Sequence, residues 1–149
     1  RYQLIHEWND RLPLITWVML NQSTADAERD DPTIRKCIGF ARKWGMYGGI
    51  RVVNLFAMRA TDPKHLLSDA DPIGQENIHV MEGLHGPAIA AWGGSAPRTP
   101  QFRHMRVIVE FAARRQAGAW WCLGLTKTGD PRHPLFVAYR QPRLRWPAP

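Results

Sequence analysis

Leu14-Ile15-Thr16-Trp17-Val18-Met19-Leu20 is an almost unbroken apolar run, and it opens directly into Asn21-Gln22-Ser23-Thr24-Ala25-Asp26. A strand with no polar face is one buried on both sides, as in parallel sheets covered by helices. Three further runs share this character: Ile50–Phe56, Ala88–Trp92 and Ala119–Leu123. Helical patterns lie between them. Over Thr33–Trp44, Ile34, Cys37, Ile38, Ala41 and Trp44 fall on one face. Asp31 suits the N-cap, Pro32 the first turn, and Gly45 with Gly48-Gly49 the stop. A second helix is expected from Asp71-Pro72 to about Leu84, and a third over Thr99–Gln116, ended by Gly118.

Strand–helix alternation predicts an α/β fold whose parallel sheet has helices on both faces and right-handed crossovers. The 149 residues suit one domain, residues 1–149. The tail Gln141–Pro149, with Pro142, Pro147 and Pro149, is expected to be irregular. In such sheets ligands bind beyond the carboxyl ends of the strands. The loops after Leu20, Phe56, Trp92 and Leu123 therefore share a rim.

Each rim loop has a functional reading and a structural one. The Asn21 loop continues through Glu28, Asp30 and Asp31; it reads as a water-positioning site or as a polar connection with a helix cap. Asn54 interrupts an apolar strand. A buried amide left unpaired costs about 1–3 kcal/mol, so Asn54 either reads a ligand edge through its donor and acceptor or holds a neighbouring loop. Trp92-Gly93-Gly94 permits close backbone approach or is a simple turn. In Thr126-Lys127-Thr128-Gly129-Asp130-Pro131-Arg132-His133-Pro134, the proline after His133 keeps its backbone extended. The imidazole is then presented from a stiff segment, and the functional reading of His133 is preferred.

Net charge is +7 with a pI of about 10.1, and it is unevenly placed. Residues 1–97 hold 10 Lys/Arg against 11 Asp/Glu, whereas residues 98–149 hold 10 against 2. That basic third, interleaved with Trp120, Trp121, Phe136, Tyr139 and Trp146, predicts a polyanion-facing surface, with nucleic acid as the partner. No apolar run approaches the roughly 18 residues of a membrane helix, and no secretory leader is expected. Cys37 and Cys122 read as buried thiols rather than a redox pair, which favours a reducing cytoplasmic setting. No Gly-rich phosphate loop of the nucleotide-triphosphatase kind is present.

Asn21-Gln22-Ser23-Thr24-Ala25-Asp26, Asp30-Asp31-Pro32-Thr33, Val53 to Pro63, Ala91-Trp92-Gly93 and Arg132-His133-Pro134-Leu135 together resemble the family DUF1643, over nearly the whole chain. Gln22 stands where that family usually has Pro. More distantly, the same loops in the same order resemble the uracil-DNA glycosylase superfamily. There a first-strand Asn or Asp motif handles water, a later Asn reads the pyrimidine edge, a Trp-Gly follows the third strand, and the last motif is often His-Pro. The resemblance implies a three-layer α/β/α sandwich around a central four-stranded parallel sheet, and a monomeric DNA glycosylase with no cofactor and no metal.

It also implies roles. Asn21 and Asp26 would position or activate the water, and His133 would donate a hydrogen bond to the departing base. Ser23, Asn54, Phe56, Trp92 and Gly93 would line the base pocket. Arg59, Lys127, Arg132, Arg140, Arg143 and Arg145 would hold phosphates, and Leu135 and Phe136 would wedge into the stack. The small Ser23-Thr24-Ala25 stretch suggests room for a modified pyrimidine, such as hydroxymethylated or glucosylated cytosine, in which case the role is antiviral defence rather than repair. Lys127 could instead attack the sugar as an amine; a phosphate contact is preferred. The rival readings are a metal-dependent nuclease using Asp26, Glu28, Asp30 and Asp31, a hydrolase of free nucleosides or nucleotides, and a non-catalytic DNA-binding module.

Overall fold

The computed structural model describes residues 2–22, 31–59, 71, 73–116 and 118–148. Within them runs one six-stranded sheet. Its strands are β1 (Gln3–Glu7), β2 (Leu14–Gln22), β3 (Gly49–Arg59), β4 (Ala88–Ala90), β5 (Trp120–Cys122) and β6 (Leu144–Arg145), in the order β1-β3-β2-β4-β5-β6. The four expected runs are β2, β3, β4 and β5, and their three pairings are parallel. The expected count of four strands is corrected by two antiparallel edges, β1 on β3 and β6 on β5. β1 alternates exposed and half-buried residues, so it carries no continuous apolar run. β6 is two exposed residues whose backbone pairs with β5, which the flanking prolines do not forbid.

The helices are α1 (Pro32–Trp44), α2 (Asn77–Glu82) and α3 (Pro100–Arg114). Asp31 caps α1, accepting from the Thr33 N–H at 2.7 Å and the Ile34 N–H at 3.4 Å, and Gly45 ends it at φ +74°. Thr99 caps α3 through the Phe102 N–H at 3.2 Å. α2 is much shorter than its sequence pattern suggests. Asp71 Oδ1 accepts from the Gly74 N–H at 3.1 Å, and Gly74 sits at φ +82°. Asp71 therefore caps a turn, and the left-handed glycine stops a helix from running through it.

Two apolar clusters occupy the two faces of the sheet. On one, Ile15, Trp17, Met19, Ile50 and Val52 pack against Cys37, Phe40 and Ala41 of α1. On the other, Val18, Leu20, Val53 and Leu55 pack with Met81 of α2 and Phe102, Met105 and Val109 of α3. Truncating a fully buried aromatic such as Trp17 would cost about 3–5 kcal/mol, so each face contributes substantially. Cys37 and Cys122 are buried free thiols. Among the described residues no helix is long and apolar enough to cross a membrane.

The strand order decides where a ligand can enter. From β2 the chain crosses to β3 on one side, then returns past β2 to β4 on the other. The chain leaves for β3 on one side of β2 and arrives at β4 on the other, so the carboxyl ends of β2 and β4 mark the switch point at which such sheets take ligands.

Candidate active site

Asn21 stands at the carboxyl end of β2, paired with Phe56 of β3, beside an irregularity between Asn21 and Gln22. Its amide donates to the Gln22 carbonyl at 3.0 Å. Strand alternation puts Asn21 in phase with Ile15, Trp17 and Met19, while its register partner Phe56 packs in the cluster on the opposite face. Asn54 is the register partner of Met19 and shares its face. It is 9% exposed.

The segment after β5 returns to the same edge. Gly93, just past β4, donates its N–H to the Pro131 carbonyl at 2.8 Å. At φ +77°, a Cβ on Gly93 would stand 3.1 Å from the His133 Cβ. Glycine thus suits the left-handed turn, and any side chain there would crowd His133. His133 precedes a 3-10 turn, Pro134–Phe136, which packs against α1. His133 is thus held against the turn that follows β4, at the start of a segment that packs on α1.

Burial pushes the His133 imidazole below the ordinary histidine range, and the charge of Asp31 partly opposes this. Burial thus favours the neutral ring. Its Nδ1 accepts from the Leu135 N–H at 3.3 Å. An accepting Nδ1 leaves the proton on Nε2, so the ring offers one N–H donor. Beside it, Phe136 is 79% exposed and Leu135 40%, with the Phe136 and His133 rings 5.7 Å apart. Large apolar groups so exposed next to a half-buried imidazole suit contact with a partner.

The expected cations divide. Lys127, Arg132 and Arg140 are exposed near this segment in the chain. Arg143 is engaged internally: its guanidinium lies 4.6 Å from the ring centres of both Trp44 and Trp121 and donates to the Tyr47 hydroxyl at 2.7 Å. Arg145 bonds the Gly118 carbonyl and lies 5.6 Å from the Trp121 ring. Of the interleaved aromatics, Trp120 and Trp146 are core residues, while Phe136 and Tyr139 are exposed. Phe56 and Trp92 are wholly buried, and Trp92 packs edge-on to Trp146 at 5.2 Å. Both belong to the core, and neither presents surface to a ligand. Ser23, Asp26, Glu28 and Asp30 lie outside the described residues, as does the Arg59 side chain. Among the described residues no group of three or more His, Cys, Asp or Glu side chains could hold a metal ion.

Two buried polar residues went unread in the sequence. Asn77 donates through Nδ2 to the carbonyls of Asn54 at 2.8 Å and Leu55 at 3.0 Å. It ties α2 to the strand that carries Asn54. Asp130 is fully buried and accepts from Arg98, Arg106 and Thr128. A sequence signal for it existed: Asp130 is one of two acidic residues in a strongly basic third of the chain.

A family model described as "Protein of unknown function (DUF1643)" matches residues 1–135. The searches of curated proteins and of solved structures returned no match.

Proposed function

The chain belongs to the DUF1643 family, and with that as premise we propose that it is a DNA glycosylase. It hydrolyses the bond between a flipped pyrimidine and its deoxyribose and leaves an abasic site. The observation that carries the reading is the hydrogen bond from the Leu135 N–H to His133 Nδ1, which puts the proton of a neutral ring on Nε2, in a residue held against the Gly93 turn beyond β4. The layering of helices on both faces of four parallel strands agrees with the distant resemblance to uracil-DNA glycosylases.

The reaction builds negative charge on the leaving base and positive charge on the sugar. A fixed donor aimed at the developing oxyanion lowers the barrier, and losing one such donor costs about 100- to 1,000-fold. His133 takes this role without itself becoming charged. Asn21, at the carboxyl end of β2, positions the attacking water, with Asp26 as its partner in activation. Asn54 reads the base edge. Leu135 and Phe136 fill the space left by the extruded base, and Lys127, Arg132 and Arg140 hold the phosphates. The small Ser23-Thr24-Ala25 stretch favours a pyrimidine carrying a five-substituent, and with it a role against phage DNA.

The test is incubation with duplexes bearing uracil, mismatched thymine, hydroxymethylated cytosine or glucosylated cytosine, followed by alkali to cut abasic sites. Excision that disappears in His133→Ala and Asn21→Ala, with DNA binding kept, is expected. Failure to release any base, or equal loss of binding and excision in both variants, would remove the proposal. Borohydride trapping in the same assay reports whether Lys127 forms a covalent adduct.

A further inference from the structure

A buried charge in a surface loop needs a reason. Asn at position 130 would fit the same space without the cost of burying an ion. Asp130 nevertheless sits fully buried between α3 and the loop that ends in His133. Arg98 reaches it with both terminal nitrogens, one of them at 3.2 Å, and Arg106 reaches it at 3.4 Å. Thr128 donates to its carboxylate at 2.8 Å. Its own N–H donates to Thr126 Oγ1 at 3.2 Å, and its carbonyl accepts from the Thr126 N–H at 2.8 Å. Arg106 turns its Nε to Glu110 at 2.9 Å. Two guanidinium groups and two carboxylates thus balance one another, which makes this group a clamp and not a phosphate site.

The clamp is coupled to the imidazole by short steps. Pro131, the next residue, accepts from the Gly93 N–H and pairs with Leu125. The Arg132 N–H bonds the Gly124 carbonyl at 2.9 Å. His133 then rests against Gly93, where a single added carbon would be crowded. We propose that Asp130 is the positioning residue of the site: anchored to α3 through Arg98 and Arg106, it fixes the Thr126–Pro131 loop and so holds His133 against the Gly93 turn. The inference rests on the reading of His133 as the donor to the leaving base. Asp130 itself touches no reacting atom.

The test uses Asp130→Asn and Thr128→Val, the second of which leaves every charge in place. Titration of the His133 ring protons by NMR gives a readout that does not need catalysis. The charge bearing on that ring is Asp31 from the α1 cap, and the charged neighbours on its own segment are Asp130 and Arg132. Loosening the loop lets water reach the ring, so the His133 value should rise toward the ordinary 6.5 in both variants. Loss of the Asp130 charge alone would move it down, so a rise in Asp130→Asn reports movement and not field. Single-turnover excision should fall about 100-fold, the usual result of an ångström-scale misplacement, with DNA affinity unchanged. Should Asp130→Asn fail to fold, Thr128→Val carries the test alone. An unmoved or lowered His133 value in folded variants overturns the proposal. A raised value in a protein that releases no base from any DNA upholds the positioning role and overturns the glycosylase reading instead.

Discussion

The Leu135 backbone N–H donates to Nδ1 of His133 at 3.3 Å, and this one bond decides which face of the imidazole carries the proton. Only the neutral ring can accept it, and burial favours the neutral ring. The sign for activity follows. Excision that depends on neutral His133 is constant near pH 7 and falls as the pH drops through the lowered His133 value, below the ordinary 6.5. Asp31 opposes the burial effect, so Asp31→Asn should move that acid limb to still lower pH. Asn caps helices about as well as Asp, so the fold is kept. Single-turnover rates from about pH 5 to about pH 8 check both limbs; a limb that stays in place in Asp31→Asn would refute the assignment.

Asp130 predicts an acid-labile loop. Burial pushes its carboxyl up, but the hydrogen bonds from Arg98 and Thr128, with the charge of Arg98, pull it below the ordinary carboxylate value. The Trp92 indole assists, although it makes no hydrogen bond of normal geometry. A carboxyl lowered on folding contributes stability that is present above its unfolded value near 3.9 and lost as the pH falls through the folded value. Urea titrations below about pH 4 should therefore show a decline that Asp130→Asn lacks. At neutral pH the same variant should lose about 2–3 kcal/mol. That is less than the 3–5 kcal/mol of a wholly buried pair, because the Arg98 side chain is 48% exposed and water can take up its charge.

Phe136 separates function from folding. With 79% of its surface exposed, truncation to Ala should change stability by no more than about 0.5 kcal/mol. If the ring wedges into the base stack, excision from a duplex should fall while excision from a single strand, which needs no extrusion, stays close to wild type. Equal loss on both substrates would show that Phe136 acts some other way.

What the sequence discloses and what it hides follow from the range of each interaction. The Asp31 cap and the Gly45 stop are readable because their partners lie within a turn. The four parallel strands are readable because burial on both faces leaves continuous apolar runs. Gly74 is not: a helical pattern over Asp71–Leu84 gives no sign that the Asp71 side chain caps a turn instead. β6 is silent because its backbone pairs while both side chains stay exposed. Asp130 and Arg143 are the instructive failures. Alone, a loop aspartate and a tail arginine read as surface residues. Their meaning comes from Arg98 and Arg106, the second of them on α3, and from Trp44 and Tyr47 almost a hundred positions upstream.

That arginine supplies the sharpest contrast among the cations. Arg143 is sandwiched by Trp44 and Trp121 and bonded to Tyr47, whereas Lys127, Arg132 and Arg140 are exposed. An interaction between a cation and an aromatic face is worth about 0.5–1 kcal/mol when exposed and about 2 when desolvated. Arg143→Ala should therefore destabilise the fold by about 2 kcal/mol, seen as a lower urea midpoint, with the salt dependence of DNA binding unchanged. Arg132→Ala and Arg140→Ala should do the reverse. Each leaves stability intact and reduces the slope of log K against log salt by about 0.9 for every phosphate that is no longer neutralised. Were Arg143→Ala to lower the salt slope while leaving the urea midpoint in place, the aromatic stack would not be what holds that side chain, and the phosphate surface would have to extend onto the tail.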